Sequence, residues 1–199
     1  MIYIIRHGQT EMNKAGRLQG RRDVPLNESG EKQAEEAAGI LSGIEFDHVF
    51  SSPLTRAVRT AEIVTGGAEP VIDERLIEMD YGPFEGTDLK DPPPEIIEFF
   101  SDFANNPAPD GMEQLSELVE RAGDFLEEIR GLSGNILLST HAIAMKGLLE
   151  YLTPDSNGSY WGTFIGNCAV YAFENENGEY GIPRELSGGV KTPLKDKVK

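Results

Sequence analysis

Ile2-Tyr3-Ile4-Ile5-Arg6-His7-Gly8 is a short apolar run that breaks straight into an arginine, a histidine and a glycine. A continuous run of this kind predicts a strand buried on both faces, as in a parallel sheet. In open α/β sheets the ligand crevice lies beyond the carboxyl ends of the strands, which is where His7 falls. Arg6 brings a rigid bidentate donor for phosphate or carboxylate, and Gly8 lets backbone approach a ligand closely. Residues 135–140 repeat the design, a second buried strand ending at His141.

The elements between these strands alternate as a parallel α/β sheet requires. A polar, Gly-containing loop runs through residue 29. Ser29 is then a suitable N-cap for a helix with Ala34, Ala37, Ala38 and Leu41 on one face and Gly43 just past its end. His48-Val49-Phe50 reads as a strand. Ser51-Ser52-Pro53 offers a cap and a first-turn proline for a helix carrying Leu54, Ala57, Val58, Ala61 and Val64. Val71-Ile72 reads as another strand. Residues 80–112, rich in Gly, Pro and Asp, form an insertion over the sheet with a short aromatic segment from Ile96 to Phe103. Leu115, Leu118, Val119, Ala122, Phe125, Leu126 and Ile129 mark the clearest helical period. Met145, Leu148, Leu149 and Leu152 mark another after His141. Residues 168–173 and a strand near Tyr180 suggest a hairpin turning at Asn177-Gly178. The expectation is an α/β three-layer sandwich with a mostly parallel central sheet and a small helical insertion over the active site. Residues 1–184 form one domain, and 185–199 form a mobile basic tail.

Composition narrows the function. The 199 residues are 39% hydrophobic and 26% charged, ordinary for a globular protein. No stretch approaches the roughly 18 apolar residues of a membrane span, and the N-terminus has no basic start or long apolar run of a signal peptide. A single cysteine, Cys168, excludes an intrachain disulfide framework, and a cytoplasmic location is expected. The net charge is −16 and uneven: residues 73–128 hold seventeen acids against three bases, whereas residues 1–30 hold five bases against three acids. That field disfavours nucleic acid and anionic membranes as partners, and leaves room for one small anionic ligand in a local basic pocket.

His7 and His141, each at the end of a strand, can converge on one crevice. Arg56 falls in the first turn of a helix, where free N–H groups favour anions. Arg6, Arg56, His7 and His141 together make an anion site for which phosphate is the natural occupant. Phosphoryl transfer needs a nucleophile, charge neutralisation and a proton for the leaving oxygen. A neutral imidazole is such a nucleophile without a metal, and no His, Asp or Glu group here has metal-ligand spacing. Glu78, just before the insertion, is placed to protonate a leaving alcohol, although Glu74, Asp80 and Glu85 lie close in sequence.

The chain resembles the histidine phosphatase superfamily, the phosphoglycerate mutase-like proteins, from residue 2 to about 173. Arg6-His7-Gly8-Gln9-Thr10 with Asn13, then Gly16-Arg17-Leu18-Gln19-Gly20, resemble its opening signature. Ser51-Ser52-Pro53-Leu54 with Arg56-Ala57 and Thr60-Ala61 are similar to its second, and Leu76-Ile77-Glu78 with Gly82 and Glu85-Gly86 to its third. Gly111, Glu113 and Arg121 resemble a further element, and Thr140-His141 with Asn167 and Val170 complete the set. The resemblance implies a covalent phosphohistidine mechanism. His7 attacks the phosphoryl group, Glu78 donates and then abstracts the proton, and Arg6, Arg56 and His141 clamp the phosphoryl oxygens. Asn13, Gln19 and Gly20 contact the substrate. The implied activity is a metal-independent phosphomonoesterase for a small phosphorylated metabolite, without cofactor, working as a monomer or homodimer. A phosphoglycerate mutase with the same intermediate, or an inactive phospho-ligand binder, are the alternatives. The family usually has Gly-Gly after its second histidine; Ala142-Ile143 stand here. Arg21-Arg22 replace a commonly aromatic or polar pair and read chiefly as surface charge. Phe99–Phe103 and Trp161 read as packing.

Overall fold

The structure, a computed structural model, describes residues 1–187. Its main sheet comprises β1 (Ile2–Arg6), β2 (His48–Ser51), β3 (Val71–Ile72), β4 (Ile136–Thr140), β5 (Val170–Phe173) and, after a small ribbon of β6 (Asn175–Glu176) and β7 (Glu179–Tyr180), β8 (Arg184–Ser187). The order is β3-β2-β4-β1-β5-β8. β1, β4, β2 and β3 run parallel; β5 lies antiparallel to β1, and β8 antiparallel to β5. The two apolar runs that announced buried strands are neighbours, with Ile2 opposite Ile136 and Arg6 opposite Thr140. The ladder continues one residue past the strand ends: His7 N–H donates to Thr140 O (2.9 Å) and Ser52 N–H to Ser139 O (3.0 Å). His7, His141 and Ser52 therefore leave the sheet side by side.

Helices α1 (Glu11–Ala15), α2 (Glu28–Ile40), α3 (Thr55–Thr65), α4 (Pro94–Ser101), α5 (Leu115–Ile129) and α6 (Ala142–Leu152) complete the layers. α5 and α6 cover the face that carries Ile2, Ile4, Ile136 and Leu138. α2 and α3 cover the face of Tyr3, Ile5, Leu137 and Val170, with alanines at Ala34, Ala37 and Ala61 keeping the approach close. The insertion has a core of its own: Ile96, Phe99 and Phe103 of the α4 region pack on Met79, Tyr81, Leu118, Ile143 and Trp161. Among the described residues, no helix is long and apolar enough to cross a membrane.

Several local expectations are corrected. The loop before α2 contains α1, whose N-cap Thr10 shares a capping box with Asn13. α2 is capped by Asn27, whose carboxamide oxygen accepts from Gly30 N–H (2.9 Å), so Ser29 lies within the first turn. α3 starts at Thr55, leaving Pro53 outside it. The helix start there is not free for an anion, because the Asp23 carboxylate accepts from Thr55 N–H (2.9 Å) and Thr55 Oγ1 (2.8 Å). Asn177-Gly178 do turn a hairpin, both with positive φ (54° and 81°), but it joins β6 to β7, while β5 pairs with β1 and β8. Residues 184–187 are therefore strand where a tail was expected to begin at 185; Lys191, Lys195, Lys197 and Lys199 lie outside the described residues.

One close crossing brings the opening loop onto α2. A Cβ on Gly30 would stand 2.1 Å from Gln9 O, and one on Gly8 would stand 2.3 Å from Gly30 O. Gly30→Ala is expected to destabilise the protein by about 1–3 kcal/mol through this overpacking. Gly39→Ala, on the same helix with open space around it, should stabilise it by up to about 1 kcal/mol. Urea denaturation of the two variants reads both signs.

Candidate active site

Arg56 joins the two histidines. Its side chain is fully buried, and its Nε lies 3.2 Å from both His7 Nε2 and His141 Nδ1. Its remaining donors go to Arg22 O (2.9 Å) and Gly20 O (2.6 Å). A guanidinium only donates, so the ring nitrogens facing it carry lone pairs. The other nitrogen of each ring then carries the proton: His7 Nδ1–H donates to Gly8 O (2.6 Å), and His141 Nε2–H donates to Ser52 Oγ (2.7 Å). Burial, and then the positive charges of Arg56 and Arg6, hold the His7 pKa well below its ordinary value, against the opposing Gly8 hydrogen bond. Burial, Arg56 and the neighbouring His7 do the same to His141. The site thus presents two neutral imidazoles, with ring centroids 5.0 Å apart, and a bare Nε2 on His7.

Arg6, Asn13, Gln19 and Glu78 line a cavity of about 710 Å3, together with Phe103, Ile143, Lys146 and Trp161; the buried His7, Arg56 and His141 are not among its lining residues, and Arg6 and Ala142, chain neighbours of the two histidines, are the link to it. Arg6 Nη1 donates to Ile165 O (2.6 Å), while its buried Nε has no partner among the described residues. The buried Gln19 Nε2 is likewise unpaired; its Oε1 accepts from Thr10 Oγ1 (2.6 Å) and Asn13 Nδ2 (3.2 Å). Buried donors without partners are rare enough to mark where a ligand's acceptors belong. Asn167 ties this wall to His7, donating to His7 O (3.0 Å) and Asn13 Oδ1 (3.3 Å). Gly20 is not brought to the cavity. Its N–H donates to Glu85 Oε1 (2.8 Å), its carbonyl accepts from Arg56, and a Cβ there would strike Met79 O at 2.6 Å.

Of the four acids close together in sequence here, Glu78 is the one that lines the cavity. Asp80 pairs with Arg21, Glu85 holds the N–H groups of Gly20 and Arg22, and Glu74 lies outside the cavity wall. Glu78 Oε1 accepts from the N–H groups of Met79 (2.9 Å), Ala144 (2.9 Å) and Ile143 (3.2 Å); Oε2 accepts only from Ile143 (3.2 Å). It therefore serves as the side-chain cap that His141 does not provide at the start of α6. The departure from Gly-Gly is accommodated here, since Ile143 gives its N–H to Glu78 and its side chain to the aromatic cluster of the insertion.

The segment bearing Glu78 is braced by Arg121. Its Nη1 donates to Arg75 O (2.7 Å) and Ile77 O (2.8 Å), and its Nε and Nη2 grip Glu113 at 2.6 and 3.1 Å. Glu113 in turn accepts from Asp80 N–H (3.0 Å) and Arg21 (3.3 Å). Arg21 is thus engaged with carboxylates. Phe103 and Trp161 pack edge to face (5.6 Å) as expected, but they also wall the cavity. Sequence reasoning missed Lys146, although a lone lysine amid Ile143, Ala144, Met145, Leu148 and Leu149 was a visible signal. Among the described residues, no group of three or more His, Cys, Asp or Glu side chains is placed to hold a metal.

This geometry defines an α/β protein whose anion site is built on a histidine pair at the carboxyl ends of neighbouring strands. The chain belongs to the histidine phosphatase superfamily (branch 1), whose family model matches residues 2–184. It is 30% identical over 198 residues to the uncharacterized phosphatase PhoE of Bacillus subtilis, covering 96% of this chain and 98% of that one. The crystal structure of a mutant phosphoserine phosphatase from Entamoeba histolytica in complex with phosphoserine is similar, with a TM-score of 0.78, 26% identity and 94% of each chain covered. That of phosphoglycerate mutase from Thermus thermophilus matches with a TM-score of 0.69 and 31% identity, over 92% of this chain and 96% of that one.

Two outcomes follow from these contacts. Both histidines resist protonation when folded, so the unfolded chain binds more protons below pH 6.5 and stability falls as pH drops through that value. The slope approaches about 1.4 kcal/mol per pH unit for each histidine, and His141→Asn should remove one share of it in urea denaturation at pH 7.0 and 5.5. Arg121→Met leaves Glu113 without its bidentate partner and should destabilise the protein by about 3 kcal/mol, read in the same assay.

Proposed function

We propose that the protein is a metal-independent phosphomonoesterase that acts on a small phosphorylated metabolite through a phosphohistidine at His7. The observation that carries this reading is the hydrogen bonding of His7, whose Nδ1 lies 2.6 Å from Gly8 O and whose Nε2 faces the Arg56 Nε–H at 3.2 Å, which makes Nε2 the unprotonated nitrogen. A nucleophilic imidazole needs an unprotonated nitrogen and its other nitrogen fixed. The entering phosphoryl group displaces the Arg56 Nε–H from that lone pair, and the same donor then meets a phosphoryl oxygen. Nε2 forms a bond to phosphorus as the bond to the leaving oxygen breaks. Glu78 gives that oxygen its proton. Water then attacks phospho-His7, Glu78 takes a proton from it, and the P–N bond breaks to regenerate neutral His7. Arg6, Arg56 and His141 stabilise the equatorial oxygens, with Arg6 Nε and Gln19 Nε2 as unspent donors. Relatives named for phosphoserine and phosphoglycerate support a small ester with a charged alcohol as the substrate.

Phosphate release from phosphorylated amino acids, glycerates and sugars in EDTA tests the reading. Release that persists in EDTA and disappears in His7→Ala is expected. Glu78→Gln should slow alkyl phosphates by about 10²–10⁴-fold, yet accumulate phospho-His7 with p-nitrophenyl phosphate, whose leaving group needs no proton. Release by His7→Ala would overturn the mechanism. Isomerised phosphoglycerate in place of free phosphate would identify a mutase, and ligand binding with neither product nor phospho-His7 an inactive binder.

A further inference from the structure

The cavity is also lined by a buried cation that the phosphoryl chemistry leaves unused. Lys146 stands on α6, the helix headed by His141, amid apolar neighbours, and is only 9% exposed. Its Nζ donates to Trp161 O (2.8 Å) and faces the Phe103 ring, 5.5 Å from the centroid. An ammonium has three donors, and one is used. Among the described residues, no carboxylate lies within ion-pair distance of it.

The charged groups around Lys146 have other engagements. Glu78, across the cavity, caps α6. Glu150, one turn further along α6, is taken up by Ser156 Oγ (2.5 Å) and Tyr160 N–H (2.7 Å). Arg6 adds repulsion from β1. At the exposed rim, Asp102 binds the Asn105 side chain and Arg17 binds Gly86 O. A buried cation without a counterion is costly, and burial lowers its pKa to about 8. A lysine serving only as a tether for Trp161 O would need no charge, and the rest of the inner face of α6 is apolar.

We propose that Lys146 is a specificity-determining residue that binds a carboxylate on the leaving-alcohol side of the substrate, against the wall of Phe103 and Trp161. This rests on the phosphomonoesterase reading above. A carboxylate fits better than a second phosphate: one point charge matches a monoanion, and Arg6, Arg56 and His141 already serve the phosphoryl group. The carboxylate supplies the missing counterion and accepts from the unspent Nζ donors.

The test compares kcat/KM for 4-carboxyphenyl phosphate and phenyl phosphate, two esters of the same shape at the reacting end. Wild-type protein should prefer the carboxylate ester by about 10–100-fold, the worth of one hydrogen bond to a charged group. Lys146→Met should bring the ratio close to one, and Lys146→Arg should restore a preference. A tether role would lower both esters alike and leave the ratio at its wild-type value, which would overturn the proposal. Unmutated protein gives a second measurement. The ratio cancels every group the two esters share, so it should fall as pH rises through about 8 and Lys146 loses its proton. A ratio flat from pH 6.5 to 9.5 would equally overturn it. Failure of wild-type protein to hydrolyse phenyl phosphate at all would instead defeat the phosphomonoesterase reading, and this inference with it.

Discussion

Everything in the site hangs on a guanidinium buried without a carboxylate partner. Arg56 meets four acceptors: two imidazole nitrogens and the carbonyls of Gly20 and Arg22. Burial lowers its pKa to about 10, so it stays charged, and the carboxylates that support it, Glu78, Asp23 and Glu85, act at a distance. Glu85 contributes through the backbone: its Oε1 takes the N–H groups of the same two residues, Gly20 and Arg22, whose carbonyls Arg56 holds. The loop is thus clamped with its donors on a carboxylate and its acceptors on a guanidinium. A carboxylate placed directly on Arg56 would neutralise its charge; routing it through two peptide units keeps the loop fixed and leaves the guanidinium a net cation.

The second half of the site is positioned by the same economy of backbone groups. α6 begins immediately after His141, so the helix start and the second histidine are placed by one strand end. Glu78 then fastens a distant segment to that helix start through N–H groups that would otherwise be orphaned. Arg121 fixes the other side of the segment through the carbonyls of Arg75 and Ile77. The distance between Glu78 and the histidines is therefore set by main-chain contacts, which tolerate little drift. This is also why Ala142-Ile143 can replace two glycines: the required contact comes from an N–H, which every residue but proline supplies.

Much of this was legible in the residues. The apolar runs at Ile2–Ile5 and 136–140 gave buried strands because nothing but a two-sided core suits them, and their identical endings paired His7 with His141. What escaped was set by contacts far apart in the chain. Ser29 looks as good a cap as Asn27, and only the packing of Gly30 on Gln9 decides between them. α1 is five residues long, too short to show a period. β8 exists because β5 offers it an edge, and its own residues, Arg-Glu-Leu-Ser, carry no strand signature. Gly20 sits inside a signature yet works through its two backbone groups, whereas the spacing to Gly82 and Glu85-Gly86 already singles out Glu78 from Glu74, Asp80 and Glu85. Lys146 is easily passed over despite its apolar neighbours, because a lysine on a helix ordinarily marks the solvent side.

An acidic protein that gathers buried cations around one site presents an apparent conflict, given a net charge of −16. Burial resolves it. Arg56 and Lys146 are withdrawn from water, and Arg6 has its Nε buried, so their fields act through a poorly screening medium. The acids of residues 73–128 are mostly at the surface, where salt screens them beyond about 8 Å at physiological ionic strength. Glu78 and the nearby Glu85 and Glu113 are taken up by backbone N–H groups and by Arg121. Within the site the local cations therefore outweigh the larger but screened acidic shell. The sign of the field there follows from which charges are dry, and the overall sign of the protein has little part in it.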